Sequence, residues 1–293
     1  MRDDLAFAVW SRERQQRIEG VLDGLLDARG GAPLVEAMRY ATLGGGKRMR
    51  PLLAYAAGEF ADADPAVVDA VAASVEMVHA YSLVHDDLPC MDDDVLRRGR
   101  PTCHVRHGEA MALLAGDALQ AAAFAVLARS RVREPGEACA LLADAAGMDG
   151  MAGGQAIDLA AVGHVLPLDE LSAMHRRKTG ALIGAAVALG AQCGRPLPHD
   201  EVDALRGYAE AAGLAFQVID DVLDAEGSTA TLGKTPGKDA ASGKPTFVSL
   251  LGLDEARRHA EALRARAGAA LARFGTRARR LVELADWIVL RQH

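Results

Sequence analysis

The sequence predicts an all-α protein, and three observations lead to that class. Apolar positions recur at three and four residues along most of the chain, as one buried helix face requires. Alanine and leucine supply most of them, while aromatic residues make up only 4%. Alternation of β-branched residues over five or more positions, the mark of a strand, is hard to find. With 50% apolar and 25% charged residues over 293 positions, the composition is that of an ordinary globular protein. No linker, composition shift, fixed-period repeat or low-complexity tract divides the chain. Residues 1–293 are therefore expected to form one domain, a single large bundle of about ten helices.

The helices are placed in order along the chain. The first, 4–28, rests on periodicity alone, and the second, 33–44, is stopped by Gly44-Gly45-Gly46. A third covers 48–60. The fourth, 65–88, starts with Asp64 as an N-cap and Pro65 at the first helical position. Pro89 ends it, because proline lacks an N–H and pushes Leu88 out of the helical region. Periodicity then places helices at 107–130, 135–152, 167–193 and 199–225. Ala225 to Thr246 is not helical: Gly227, Gly233, Gly237, Gly243, Pro236 and Pro245 stand among Lys234, Lys238 and Lys244. Loops of that length are commonly functional. Helices 246–274 and 277–291 complete the chain.

Charge and cysteine content exclude several classes. A net charge of −7 argues against a broad nucleic-acid footprint, so any basic site is local. Cys90, Cys103, Cys139 and Cys193 lie 13, 36 and 54 residues apart, without CxxC, disulfide-framework or zinc-ligand spacing. That usage suits a reducing cytoplasm. Met1-Arg2-Asp3-Asp4 is acidic with no continuous apolar run behind it, unlike a secretory signal. The longest run free of charged and strongly polar residues, Gly180 to Ala191, has 12 residues. A membrane span needs about 18 or more, so none is expected.

Two acidic clusters carry the chemistry. DDLPCMDDD, starting at Asp86, puts Asp86, Asp87, Asp92, Asp93 and Asp94 directly after an apolar helical stretch, with Asp92 free to fold back toward Asp86 beyond Pro89. FQVIDDVLD, starting at Phe216, puts Asp220 and Asp224 on one helical face, four residues apart, with Gln217 a turn earlier. Like charges at that spacing repel, so an apolar helix that turns them inward needs a counter-ion. Either cluster alone could be a solvated helix end. Two of them, 134 residues apart and both embedded in apolar helices, favour a shared function. Hard oxygen ligands without His or Cys at metal spacing select Mg²⁺, with Mn²⁺ possible, over zinc or copper. Mg²⁺ held by few carboxylates keeps waters and takes substrate phosphate oxygens, so the expected substrate is a diphosphate.

Basic groups answer these acids. Lys47, Arg48 and Arg50 follow the three glycines, Arg97, Arg98 and Arg100 follow the first cluster, and Arg176, Arg177 and Lys178 precede Thr179-Gly180. Arginine forks and lysine point charges both bind phosphate oxygens. Gly233-Lys234-Thr235 is no P-loop, since Ser228 stands where its first glycine should be and no strand precedes it. Glu76-x-x-His79 has di-iron spacing, but the chain holds one copy where that class needs two. His79 lies seven residues before Asp86, on the same helical face, where an imidazole could bind a second anionic group.

Taken in order, these segments resemble the short-chain trans-prenyl diphosphate synthases, most closely the bacterial farnesyl diphosphate synthases. The resemblance covers nearly the whole chain: GGGKRMRP at Gly44, HAYSLVHDDLPCMDDDVLRRGRPTCH at His79, LAGDALQ at Leu114, GGQAIDL at Gly153, KTG at Lys178, FQVIDDVLD at Phe216, and LGK with GKPT in the lysine-rich loop. It implies an isoprenoid-synthase fold of mostly antiparallel helices around a central cavity, with the aspartate motifs on opposite walls, in a homodimer. It also implies roles. Asp86, Asp92 and Asp220 would hold three Mg²⁺ ions on an allylic diphosphate, with Asp87, Asp221 and Asp224 in support. Arg97, Lys178, Lys234 and Lys244 would bind that diphosphate; Lys47, Arg50, His79 and Arg98 would bind isopentenyl diphosphate. Lys178, Thr179 and Gln217 would face the developing allylic cation. Gln155 and Asp158 match a further family motif that a helix-packing hydrogen bond explains nearly as well. Val95 departs from the pattern, since close relatives often carry an acid there.

The implied reaction is head-to-tail condensation of isopentenyl diphosphate with dimethylallyl or geranyl diphosphate to (2E,6E)-farnesyl diphosphate. Tyr81 and Ser82 set the expected product length. At 1.5 Å per residue they lie ~7.5 and ~6 Å along the helix from Asp86, so a growing tail must pass them, and bulky Tyr81 would form a floor. A geranylgeranyl or geranyl diphosphate synthase is the nearest alternative. A terpene cyclase should carry Asn/Asp-x-x-Ser/Thr-x-x-x-Glu where this chain has DDVLD, and a non-catalytic partner subunit should have lost an aspartate motif. A purely structural bundle would leave the paired acids and cations unexplained.

Overall fold

In a computed structural model of the chain, residues 2–27, 32–226 and 244–291 are described. The elements run α1 (Arg2–Leu25), α2 (Pro33–Thr42), α3 (Met49–Phe60), α4 (Pro65–Asp86), an antiparallel hairpin of β1 (Leu96–Arg97) and β2 (Arg100–Pro101), α5 (Cys103–His107), α6 (Glu109–Ala128), α7 (Pro135–Ala146) and α8 (Met151–Ala160). They continue with α9 (Leu168–His175), a π-helical turn (Arg176–Gly180), α10 (Ala181–Gln192), α11 (His199–Glu226), α12 (Phe247–Leu251), α13 (Leu253–Leu271), a 3-10 stretch (Ala272–Ala278) and α14 (Arg279–Leu290). The fold is all-α, as the apolar periodicity predicts.

The centre is built from α3, α4 and α10, with α6 against α4 and α11 lying along α13. α4 begins as its cap predicts: Asp64 Oδ1 accepts from the Ala66 N–H at 2.9 Å, satisfying a donor that the helix start leaves orphaned. Nearly every residue of α3 and the middle of α4 are buried, with Leu52, Leu53, Val75 and Met77 fully so. Small residues let these helices approach closely. A Cβ on Gly190 of α10 would collide with the backbone of Ala54 on α3.

Several boundaries differ from the sequence expectation, each for a local reason. The single helix expected at 135–152 is two, α7 and α8, broken at Gly147–Gly150, where a Cβ on Gly150 would meet the Ala145 carbonyl. α8 then continues to Ala160, into a stretch where no helix was expected. The helix expected at 167–193 is interrupted by the π-helical turn, and the one at 246–274 breaks at Gly252, whose φ of 78° suits glycine. The lysine-rich loop falls largely outside the described residues, and Lys234 with it.

Length and composition alone would let two helices cross a membrane, Pro65–Asp86 and Glu109–Ala128, contrary to the sequence expectation. Counting unbroken apolar runs missed them, because a few polar residues interrupt each. α4 is a core helix, with 67% of its apolar window buried inside the protein. α6 is different: 33% of its window is buried, and Leu113 and Leu114 are 47% and 51% exposed.

Candidate active site

One cavity of about 530 Å³ collects residues from α3, α4, the hairpin, α8, the π-helical turn and α11. Its wall carries Arg50, His79, Tyr81, Ser82, Asp86, Arg97, Arg98, Lys178, Thr179, Gln217 and Asp220, together with apolar Met91, Met151, Leu159 and Phe216. Many of the acidic and basic residues singled out in the sequence thus share one space with apolar side chains. Lys47, Asp92 and Lys244 are not on its lining, though Lys47 feels both Asp220 and Arg291.

The end of α4 makes the acidic corner. Asp86 is the last helical residue, and the chain past Pro89 does turn back: the Asp92 N–H donates to the Asp86 carbonyl at 2.8 Å and the Asp94 N–H to that of Asp87. Asp87 is buried and held by Arg97, whose Nε reaches its two oxygens at 2.8 and 2.9 Å. Asp86 accepts no side-chain hydrogen bond among the described residues. Burial, aided by Asp92 and Asp87 against the pull of Lys178, pushes its carboxyl up to about 6.

The hairpin that follows is a two-residue turn at Arg98 (φ 53°) and Gly99 (φ 72°), the positive pair that strand twist favours. It sends Arg97 to Asp87 and swings Arg98 onto the glycine run, where its Nη1 donates to the Gly45 carbonyl at 2.5 Å. The guanidiniums of Arg98 and Arg100 occupy the space that a Cβ on Gly46 and Gly44 would need. These glycines therefore make room for arginines as well as turning the chain. Burial, reinforced by Arg50 and Arg98, holds His79 well below its ordinary pKa, so a neutral imidazole faces the cavity.

The π-helical turn presents Lys178 and Thr179 to the same cavity. Gly154 of α8 packs directly on the Lys178 backbone, where no Cβ fits. Lys178 Nζ donates to Asp158 Oδ2 at 2.6 Å, and Lys244 stands 3.8 Å from the same oxygen. Burial alone would raise Asp158, but these two cations outweigh it and hold the carboxylate below its usual range. Asp158, which the sequence leaves open between a family motif and a helix-packing hydrogen bond, is the counter-ion of Lys178. From α11, Asp221 accepts from the Phe247 N–H and from Gln217 Nε2, both at 2.8 Å, and Gln217 Oε1 accepts from Thr179 Oγ1 at 3.1 Å. That chain fixes which way the carboxamide points.

Two further motif acids are paired with cations. Asp92 binds Lys244 Nζ at 2.8 Å, and Asp220 is bound by Arg291, which also lies 4.3 Å over the Phe216 ring. Sequence reasoning missed Arg291. It stands 71 residues from its partner, and nothing near it in sequence distinguishes it from the chain's other arginines. Among the described residues no three His, Cys, Asp or Glu side chains gather as a ready metal cage. A hydrogen-bond-free carboxylate at Asp86 beside an all-oxygen donor set nevertheless fits Mg²⁺, which completes its shell with water and phosphate oxygens.

The chain matches the family model described as polyprenyl synthetase over residues 32–274. A probable farnesyl diphosphate synthase of Sinorhizobium fredii is 52% identical over 287 residues, 94% of this chain and 85% of that protein. The apo structure of an FPP/GFPP synthase from Zymomonas mobilis superposes with a TM-score of 0.87 at 42% identity, covering 97% of this chain and 99% of that one. A geranyltransferase from Helicobacter pylori, solved with magnesium and isoprenyl diphosphate, gives 0.84 at 32% identity over 96% and 95%.

Proposed function

The chain belongs to the polyprenyl synthetase family, and on that premise we propose that it condenses isopentenyl diphosphate head-to-tail with dimethylallyl and then geranyl diphosphate, releasing (2E,6E)-farnesyl diphosphate. The observation that carries this reading is the single cavity in which carboxylates, cations and an apolar wall meet. Mg²⁺, held by Asp86, Asp92 and Asp220 with substrate oxygens, would neutralise the leaving diphosphate. Arg97, Lys178, Lys244 and, outside the described residues, Lys234 bind the allylic diphosphate. Lys47, Arg50, Arg98 and neutral His79 cradle isopentenyl diphosphate; His79 can donate one hydrogen bond without adding charge.

The allylic C–O bond breaks with its electron pair leaving on diphosphate. The carbocation then lies near Thr179 Oγ1 and Gln217 Oε1, oxygens already oriented through Asp221 and the Phe247 N–H, so little reorganisation accompanies the step. The isopentenyl double bond attacks to form the C–C bond, and the proton lost passes to the departed diphosphate. Tyr81, on the cavity wall with its ring 5.8 Å from that of His85, limits the tail. The enzyme acts in the cytoplasm as a homodimer, without nucleic-acid partner or membrane span, and the exposed apolar face of α6 is the surface offered to a second copy.

Incubating the purified chain with Mg²⁺, isopentenyl diphosphate and allylic diphosphates of several lengths, then sizing the products, tests the reading. A fifteen-carbon diphosphate is expected. Cyclic hydrocarbons, or no condensation at all, would overturn it.

A further inference from the structure

Beside the cradle lies a buried ion pair that the mechanism above does not use. Arg48 is the residue between Lys47 and Arg50 in the glycine-led motif, and its side chain is only 2% exposed. Its fork serves three elements at once: Nη1 donates to Glu76 Oε1 on α4 at 2.5 Å, Nε to Glu19 Oε1 on α1 at 2.8 Å, and Nη2 to the Thr42 carbonyl at the end of α2 at 2.6 Å. Glu76, the acid of the lone Glu-x-x-His segment, is equally buried and sits one turn before His79. Arg48 also holds a left-handed backbone, φ 49° and ψ 37°, at the start of α3. A non-glycine residue stays there only when its surroundings over-determine it.

Two further cations feel the same carboxylate. Glu76 attracts both Arg50 and Arg98, which repel one another. A buried ion pair is a poor device for stability alone, since apolar groups of equal volume serve as well. What it supplies is orientation, because a planar fork with three acceptors fixes the backbone that carries it. We propose that Arg48 and Glu76 are positioning residues of the isopentenyl diphosphate cradle: the pair locks the turn that aims Lys47 and Arg50 before substrate arrives. The proposal rests on the reading of the cavity given above.

The double variant Arg48→Met/Glu76→Leu removes both charges and leaves neither stranded. It should keep the thermal midpoint within a few degrees and raise KM for isopentenyl diphosphate about tenfold, with allylic KM within twofold and kcat within threefold. Arg48→Lys keeps the charge but not the fork and should fall between. Glu19→Gln removes the charge of an outer, part-exposed partner without threat to folding and should raise isopentenyl KM two- to threefold alone. Equal changes in both KM values, or lost stability with both unchanged, would overturn the proposal. If the double variant does not fold, an unchanged isopentenyl KM in Arg48→Lys and Glu19→Gln overturns it. A wild-type chain that condenses nothing defeats the underlying reading instead, and shows it before any variant is made.

Discussion

Asp86→Asn should make the metal-free protein more stable while abolishing its activity. The wild-type carboxyl is pushed up to about 6 from an ordinary 3.8, mainly by burial. The folded state therefore holds its proton to higher pH than the unfolded chain, and stability falls as pH rises from about 4 to about 6. At ~1.4 kcal/mol per unit, the roughly two-unit shift destabilises the fold by about 3 kcal/mol above pH 7. Asparagine keeps the shape without the charge. In chelator at pH 8 the variant should gain up to about 3 kcal/mol, or about 6 °C in melting temperature, and the gain should shrink below about 1 kcal/mol at pH 4. Mg²⁺ with inorganic diphosphate should reverse the order, stabilising only the wild type. Differential scanning calorimetry at both pH values measures this, with protein concentration held fixed. A variant less stable than wild type in chelator at pH 8, or a gain independent of pH, would refute the reasoning.

Three other outcomes are expected. Tyr81→Ala should yield products of twenty carbons or more and Ser82→Phe ten, by chromatographic sizing; an active Tyr81→Ala enzyme that stops at fifteen removes Tyr81 as the floor. Arg291→Ala frees Asp220 from a competing cation, so Mg²⁺ affinity in the presence of diphosphate should rise by about fivefold, the equivalent of ~1 kcal/mol, in a calorimetric titration. Weaker metal binding would instead make Arg291 part of the loaded site. His175, buried between Phe247 and the Lys178 turn without a hydrogen-bond partner, is pulled down to about 4, mainly by burial. Its stabilisation is complete above pH 6.5 and fades as pH falls toward 4, so His175→Phe should escape about 2 kcal/mol of the wild type's loss between pH 7 and 5, read from urea midpoints.

Local signals were legible and long-range pairings were not. Asp64-Pro65 marked the start of α4, and Pro89 marked both its end and the return of Asp92, because caps and proline act within a turn of themselves. The break at Gly147–Gly150 was hidden by good helix formers on both sides. The π-helical turn reads RRKTG, which differs from ordinary helix in no periodicity; the close approach of α8 to it at Gly154 is a long-range contact that the sequence does not announce. The acidic motifs stood out by charge density, yet what each acid touches could not be read. Asp92 meets Lys244 across 152 residues and Lys178 meets Asp158 across 20, partnerships that only the packed bundle creates. Asp221 reads as a metal auxiliary from its place in DDVLD, whereas its oxygens face Gln217 and the Phe247 amide.

α4 carries Tyr81, Ser82 and Asp86 on one rigid, buried rod. On the proposed reading, the floor for the tail and the anchor for the diphosphate are separate rungs of the same ladder, about one turn apart. Substitution at the lower rung changes how far a chain can grow and leaves the upper rung, where bonds break, untouched. Such a layout makes product length cheap to alter in evolution. On that layout a lineage could move between fifteen carbons and longer chains by single substitutions that spare the metal ligands.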